Sequence, residues 1–419
     1  MTPKVFLRAA ACPSFFSRAI SFAVAVCAIT AFLATSAAGA SLKTIYKMNA
    51  STSDAPLVRD AAGNLYGTTE DGGNTACSGG CGTVFELSPT SAGGWKFTVL
   101  HKFTGGADGE LIDGGLALDA SANVYGTAVR GGKYGFGDVF ELSPVSGGGW
   151  KFSVLYSFQN TNDGANPSQG VTLDSSGNVF GVSNTTVFEL SPVAGRGWKY
   201  TVLHVLRGLQ YPMSVTLDPS GNIFGVTADG GITNANCFNG CGTVYELTQV
   251  AGVWKYTLLY AFTGNADGAM PLGSLTRDVL GNLYGVSGLG GNIDSCPYGC
   301  GTVFELTPSG SAWTETVLLA FDYTDGEQPH GQLVFDASGN LYGTTEFDSA
   351  SNCACGVVYE LNPGSAGNWT QTVLHVFAGG SDGSFPYAGL VSDGSGHFYG
   401  TTQSGGNTTG TGTVFEVTP

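Results

Sequence analysis

A phrase that keeps returning limits what this chain can fold into more than any other feature. Gly-Asn-Leu-Tyr-Gly at Gly63–Gly67 is followed, past a glycine loop, by Val-Phe-Glu-Leu at Val84–Leu87. The first phrase recurs at Ala122–Gly126, Gly177–Gly181, Gly221–Gly225, Gly281–Gly285, Gly339–Gly343 and Gly396–Gly400. The second follows each time, ending at Leu142, Leu190, Leu247, Leu306, Leu361 and Val417. A period of roughly 57 residues, repeated seven times, indicates multi-stranded units and not the short coils of a solenoid.

The second unit shows its parts cleanly. Gly115–Asp119 alternates apolar and small residues, and a short turn leads to Asn123–Thr127. The loop Arg130–Gly137 precedes Asp138–Leu142, and Trp150–Phe158 closes the unit. Alternation, β-branched and aromatic enrichment and glycine punctuation all argue for strands, here A, B, C and D. The A–B turn, Asp-x-x-Gly-Asn, has its own mechanism. The Asp side chain accepts from backbone N–H groups two residues on, and Gly tolerates positive φ.

Four antiparallel strands in each of seven units predict an all-β, seven-bladed β-propeller, with strand A lining the central channel and strand D the outer wall. The last unit supplies A, B and C at Ala388–Asp393, Gly396–Thr402 and Gly412–Thr418, then stops. The missing D strand is expected from Leu42–Met48, which matches Thr98–Phe103 in type. One blade completed from both termini closes the ring and removes two sheet edges.

The first forty residues read as a secretory leader. Lys4, Arg8 and Arg18 precede an apolar run from Ala19 to Ala34, and Ala37–Ala40 offers an Ala-x-Ala cleavage site. The run is short for a bilayer span, there is no twin arginine, and Cys27 sits mid-run behind Val26. The expected mature chain, 41–419, is a single propeller domain that is secreted or periplasmic, without a membrane span or hydrophobic tail. It carries 13 basic and 32 acidic residues, a net charge of −19 with His neutral. Such acidity argues against a nucleic-acid partner, whose phosphates would be repelled. Fourteen of the acids are built into the repeat, one Asp in each A–B turn and one Glu in each C strand, and say little about a ligand.

The units resemble the GloVer (Gloeo/Verruco) tandem repeat of exported bacterial proteins. The carrying phrases are Gly-Asn-Leu-Tyr-Gly-Thr-Thr, Gly-Thr-Val-Phe-Glu-Leu-Thr-Pro and Thr-Val-Leu-His-x-Phe, in order over essentially the whole mature chain. The resemblance implies a propeller-like surface or secreted protein. It transfers no catalytic residues. Family members often end in a surface-anchoring tail, from which this chain departs.

Eight cysteines follow the leader, as Cys77/Cys81, Cys237/Cys241, Cys296/Cys300 and Cys353/Cys355, all in B–C loops. Even number, export and local pairing predict four loop disulfides, a bridge across a Cys-x-x-x-Cys loop contributing only about 2 kcal/mol by loop entropy, with Cys353-Ala-Cys355 the tighter pair. A zinc site would need four ligands converging, and these pairs belong to different blades. No metal or cofactor is expected.

Six tryptophans, Trp95, Trp150, Trp198, Trp254, Trp313 and Trp369, open the D strands. They could form a sugar-binding ladder, but one per blade on the outer strand is the pattern of a packing residue. His101, His204 and His375 share a D-strand position and are read as packing too. Only His330 is a singleton, in the predicted loop Asp325–His330, where Glu327 or Glu346 would complete an acid–base pair. Asp-Gly pairs at Asp108, Asp163, Asp267, Asp325 and Asp382 fit turns better than a calcium site, which needs several converging oxygens.

Two function classes remain. The leading one is a non-enzymatic binding propeller that presents a loop face to a glycan, an anionic partner or a protein. Its predicted site lies at the third unit, where Ser183–Thr186 replaces the B–C loop and only 44 residues separate Asn178 from Asn222. Arg130, Lys133, Tyr134 and Phe136 on one side, with Arg207 and Tyr211 on the other, gather cations and aromatics beside that notch. The rival is a carbohydrate-active enzyme, a glycosidase or polysaccharide lyase, using His330, Glu327 and Glu346. Propellers host both classes.

Overall fold

A computed structural model of the chain describes residues 39–50, 55–208, 210–310, 312–348, 353–408 and 410–419. Residues 1–38 of the expected leader lie outside them. Seven four-stranded antiparallel sheets form a ring, each ordered A-B-C-D from the inside outward. Blade 1 is Val58–Arg59, Leu65–Thr69, Thr83–Pro89 and Trp95–Lys102. Blade 7 takes Val391–Ser392, Phe398–Thr402 and Thr413–Thr418 from the end of the chain. Its outer strand is Ser41–Lys47, with Leu42 opposite Val417 and Tyr46 opposite Val414. Asn407 Nδ2 and Thr411 Oγ1 both donate to the Met48 carbonyl, at 2.7 and 2.6 Å, fastening the end of that strand.

The glycine of the repeated phrase has a packing reason. Gly67 pairs with Phe85 across the B–C ladder, and the fully buried Phe85 ring lies over it. A Cβ on Gly67 would sit 2.6 Å from Phe85 Cζ and 2.7 Å from Leu57 Cδ2. The same glycine–aromatic pair recurs at Gly126/Phe140, Gly181/Phe188, Gly225/Tyr245, Gly285/Phe304, Gly343/Tyr359 and Gly400/Phe415. Each blade therefore carries a flat aromatic layer at its centre, burying apolar area that drives the fold. On the outer wall, Trp150 meets the edge of Tyr66, and Trp198 that of Tyr125, in the blade before. These tryptophans pack between blades.

The turn Asp acts as its spacing suggests, and reaches further. Asp119 Oδ1 accepts from Ser121 N and Asn123 N at 2.8 and 2.9 Å, while Oδ2 accepts from Asn123 Nδ2 at 2.7 Å. In blade 7, His397 stands in for that Asn, and its Nδ1 lies 2.9 Å from Asp393 Oδ2.

Neighbouring blades are latched by a contact the sequence does not advertise. Leu111, Asn166, Met270, Gln328 and Phe385 occupy equivalent D–A positions, all with φ between 49° and 60°. Their N–H groups donate to the carbonyls of Cys81, Phe136, Cys241, Cys300 and Cys355 in the preceding blades, at 2.8–3.2 Å. The proline after four of them packs on the glycine that opens the preceding C strand. A Cβ on Gly301, for example, would lie 2.5 Å from Pro329 Cδ. The left-handed backbone is strained for these residues, and the latch is what holds it there.

Five blades also clasp B to C with paired hydroxyls, such as Thr69–Thr83 at 2.8 Å and Thr227–Thr243 at 2.7 Å. Blade 2 breaks this rule with Ala128 and Asp138. Asp138 is fully buried, and neither carboxylate oxygen has a hydrogen-bond partner of good geometry. Burial pushes it up to about 6, the nearby Ser157 hydroxyl offsets part of that rise, and the Asp108 charge adds to it.

Two outcomes follow from this architecture. Deleting Ser41–Lys47 exposes the edge of Thr413–Thr418, so the truncated protein loses its cooperative melting transition or aggregates; an unchanged melt contradicts the closure. At Asp138 the unfolded chain releases its proton near the ordinary carboxylate value while the folded chain holds it to about 6. Stability contributed by this site therefore falls as pH rises from about 4 to about 6, then stays flat. Restoring the clasp with Ala128→Thr and Asp138→Thr removes that fall, raising stability above pH 6 by on the order of 1–3 kcal/mol relative to the parent in parallel denaturation curves.

Candidate functional site

Counting back six residues from the turn Asp of blades 2, 3, 5, 6 and 7 reaches Asp113, Ser168, Leu272, His330 and Tyr387, which all line one end of the central channel. The channel encloses about 950 Å³ and reaches Arg59 and Ser392 at its other end. Its wall is drawn tight by small residues. Gly170 approaches the Gly115 carbonyl so closely that a Cβ would lie 2.6 Å from the oxygen. The Ser214 and Ser274 hydroxyls bond each other, and Thr216 Oγ1 donates to the Leu275 carbonyl at 2.7 Å.

His330 is not in a loop, as expected from the sequence, but on the inner strand of blade 6, Glu327–Phe335. That strand runs nine residues, against two in blades 1, 2 and 7. Pro329 is compatible with it because an inner strand has a free edge toward the channel, where a missing N–H breaks no ladder bond. The Gln328 latch fixes the start of the strand, its N–H donating to Cys300 O at 2.9 Å.

Three sequence-predicted residues meet here. His330 Nε2 lies 3.4 Å from Glu346 Oε2 on strand B of the same blade, Leu341–Phe347. The Glu346 carboxylate is buried. Glu327, at the start of the inner strand, is held above its ordinary value by burial first and then by the charge of Glu346. From blade 7 the Tyr387 ring covers the imidazole at 4.4 Å between centroids. The result is an imidazole set between a buried carboxylate and an aromatic ring, beside a carboxyl that retains its proton more readily than usual. Groups of these types, so arranged, can exchange protons with a ligand at the mouth. Glu70 in blade 1 is also raised, by burial first and then by the charges of Asp113 and Asp71, and Asp113 lines the same channel end.

The notch residues are placed differently. The B–C connection of blade 3 is a tight turn, Ser183 N donating to Thr186 O at 2.8 Å. A second cavity of about 220 Å³ opens there, lined by Asn166, Asn184 and Tyr211 among others. Of the predicted cations and aromatics, Tyr211 alone lines it. Tyr134 is exposed with the Lys133 ammonium 5.0 Å over its ring. Arg130 and Arg207 are exposed, Arg130 being tied through its backbone to Glu110. Phe136 turns inward and packs with the core shared by blades 2 and 3.

All four predicted disulfides are formed, Cys77–Cys81, Cys237–Cys241, Cys296–Cys300 and Cys353–Cys355. The D–A aspartates are engaged by their own loops: Asp108 accepts from Thr104 N and lies 3.1 Å from His101 Nε2, and Asp163 accepts from Gln159 N and Tyr156 OH. Among the described residues, no group of three or more His, Cys, Asp or Glu is placed to hold a metal ion. Sequence reasoning missed Tyr387 and Asp113, although the six-residue count from the turn Asp finds both.

No curated protein matches the chain at a significant level. Among solved structures it is similar to a streptogramin B lyase, with 12% identity, TM-score 0.56, and coverage of 90% of this chain and 97% of that one. A virginiamycin B lyase from Staphylococcus aureus, made catalytically inactive by a His-to-Ala change and solved with quinupristin, gives 14%, 0.57, 91% and 99%. A putative 6-phosphogluconolactonase from Bacteroides fragilis gives 11%, 0.51, 83% and 88%. At such identities the likeness is one of fold. The sequence itself matches the model of the Gloeobacter/Verrucomicrobia repeat over residues 30–235 and 290–419, and the chain belongs to that family.

Proposed function

We propose that this propeller is an exported acid–base hydrolase of the glycosidase type, acting on an uncharged carbohydrate at the His330 end of its channel. The observation that carries this reading is the His330–Glu346 pair, 3.4 Å apart in a channel mouth beside the raised Glu327. In this reading Glu327 protonates the departing oxygen as the glycosidic C–O bond breaks. Glu346, oriented by His330, takes a proton from the water that attacks the sugar carbon, so one proton enters and one leaves. The acidic mouth disfavours polyuronates, which weighs against a polysaccharide lyase. Four disulfides and the repeat family support an oxidising, extracytoplasmic setting. Solved propellers of similar fold include lyases and a putative lactonase, so the scaffold is compatible with an enzyme.

A second reading, binding without turnover at the blade 3 notch, is favoured by the 220 Å³ cavity beside Tyr211. One screen separates the two. Purified protein is incubated with neutral and anionic polysaccharides, with binding and released reducing ends measured together. The enzyme reading predicts product from a neutral glycan and a loss of about a hundredfold or more in kcat for His330→Ala and Glu327→Gln, with folding intact. Activity also declines on the alkaline side as Glu327 gives up its proton. Binding that persists without product, and is lost in Lys133→Ala with Tyr211→Ala, establishes the notch instead.

A further inference from the structure

On the loop face above blades 4 and 5, two aromatic rings stand in solvent on the tips of disulfide-closed turns. Phe238 lies inside Cys237–Cys241 and is 87% exposed, and Tyr298 lies inside Cys296–Cys300 and is 72% exposed. The corresponding turn of blade 1, Cys77–Cys81, holds only Ser78, Gly79 and Gly80. The rings are therefore additions to a loop that closes without them. They take no part in the core, and exposing rings of this size to water carries a hydration cost with no folding return.

The turns that carry them are fixed from several sides. Cys241 N donates to Ile232 O at 2.9 Å and Gly230 N to Asn239 O at 2.9 Å. Asn234 Nδ2 reaches across to Thr263 O at 2.7 Å, in the D–A loop beneath. In blade 5, Gly290 N donates to Tyr298 O at 2.8 Å and Gly299 N to Cys296 O at 2.9 Å. A ring with two side-chain torsions on a pinned backbone loses little conformational freedom when something stacks on it.

The surroundings decide what stacks. Residues 229–241 and 288–300 contain no Lys or Arg, and neither do the D–A loops 263–270 and 322–328. An anionic polymer or an anionic lipid surface finds no counter-charge there, in contrast to the sector holding Arg130, Lys133 and Arg207. The polar groups in these two turns are uncharged amides and hydroxyls apart from Asp229 and Asp294. We infer that Phe238 and Tyr298 form a stacking platform for an uncharged polysaccharide, whose pyranose rings present C–H faces to the aromatics. The platform is separate from the channel and does not rest on hydrolysis there.

Affinity electrophoresis of the intact exported protein in gels containing hydroxyethylcellulose, barley β-glucan or alginate tests this. Co-sedimentation with phosphatidylcholine/phosphatidylglycerol vesicles is run beside it. Retardation by the two neutral glucans and by neither alginate nor vesicles is expected. Phe238→Ala with Tyr298→Ala weakens it about tenfold or more with an unchanged melting temperature, since both side chains lie outside the core. Phe238→Tyr retains it. Replacing Cys237 and Cys241 by Ser weakens it while leaving Phe238 in place. Absence of retardation by neutral glucans, retention of full affinity in the double alanine variant, or vesicle binding that the double variant abolishes would each overturn the platform.

Discussion

Blades 2, 3, 5, 6 and 7 each reach back to the one before through a single backbone N–H placed at positive φ, and the rest of the structure depends on that contact. The donor at Gln328 or Met270 is not glycine, so its conformation costs energy locally. The bond it makes to the carbonyl of Cys300 or Cys241 sets the distance between blades at the channel mouth. The proline that follows four of these donors then settles on a glycine of the previous blade, which accounts for the glycine after Phe136, Cys241, Cys300 and Cys355. A side chain on that glycine would separate the blades. Disulfides immediately before it stiffen the carbonyl that receives the latch, joining the rim to the ring.

The repeat is broken where the core is indifferent to the change. In blades 2, 3, 5, 6 and 7 the residue six before the turn Asp lines the channel, and the scaffold places few demands on it, so it varies from Asp113 to Leu272 to His330. Only blade 6 pairs an imidazole at this position with a buried carboxylate on its own B strand. The same freedom applies at the tips of the disulfide turns. There Ser78 in blade 1 corresponds to Phe238 in blade 4, and neither choice affects the core. A rigid ring with permissive positions at its mouth and rim can carry a reaction centre and a separate recognition surface without conflict between them.

Blade count, strand order, ring closure and disulfide pairing were legible because each rests on a local pattern repeated seven times. The turn Asp, the glycine under Phe85 and the Cys spacing are all short-range signals. His330 was misplaced for a physical reason. Asp325-Gly-Glu-Gln-Pro reads as loop, since Pro and Gly normally end strands, but a channel-facing edge tolerates Pro329 and the latch holds Gln328. Phe136 was grouped with exposed aromatics because a glycine-rich loop surrounds it, and the sequence gives no sign that it turns inward. Proximities between blades, such as Tyr387 over His330, arise from ring geometry and have no signature in either segment alone.

The central claim is that ligand chemistry occurs at the His330 end of the channel. A crystal structure of the Glu327→Gln protein soaked with the neutral oligosaccharide released in the screen tests it most directly. The account predicts a sugar ring seated between His330 and Tyr387, with its linkage oxygen within hydrogen-bond reach of residue 327. Ligand density confined to the blade 3 notch or the outer wall, with the channel mouth empty, would contradict it.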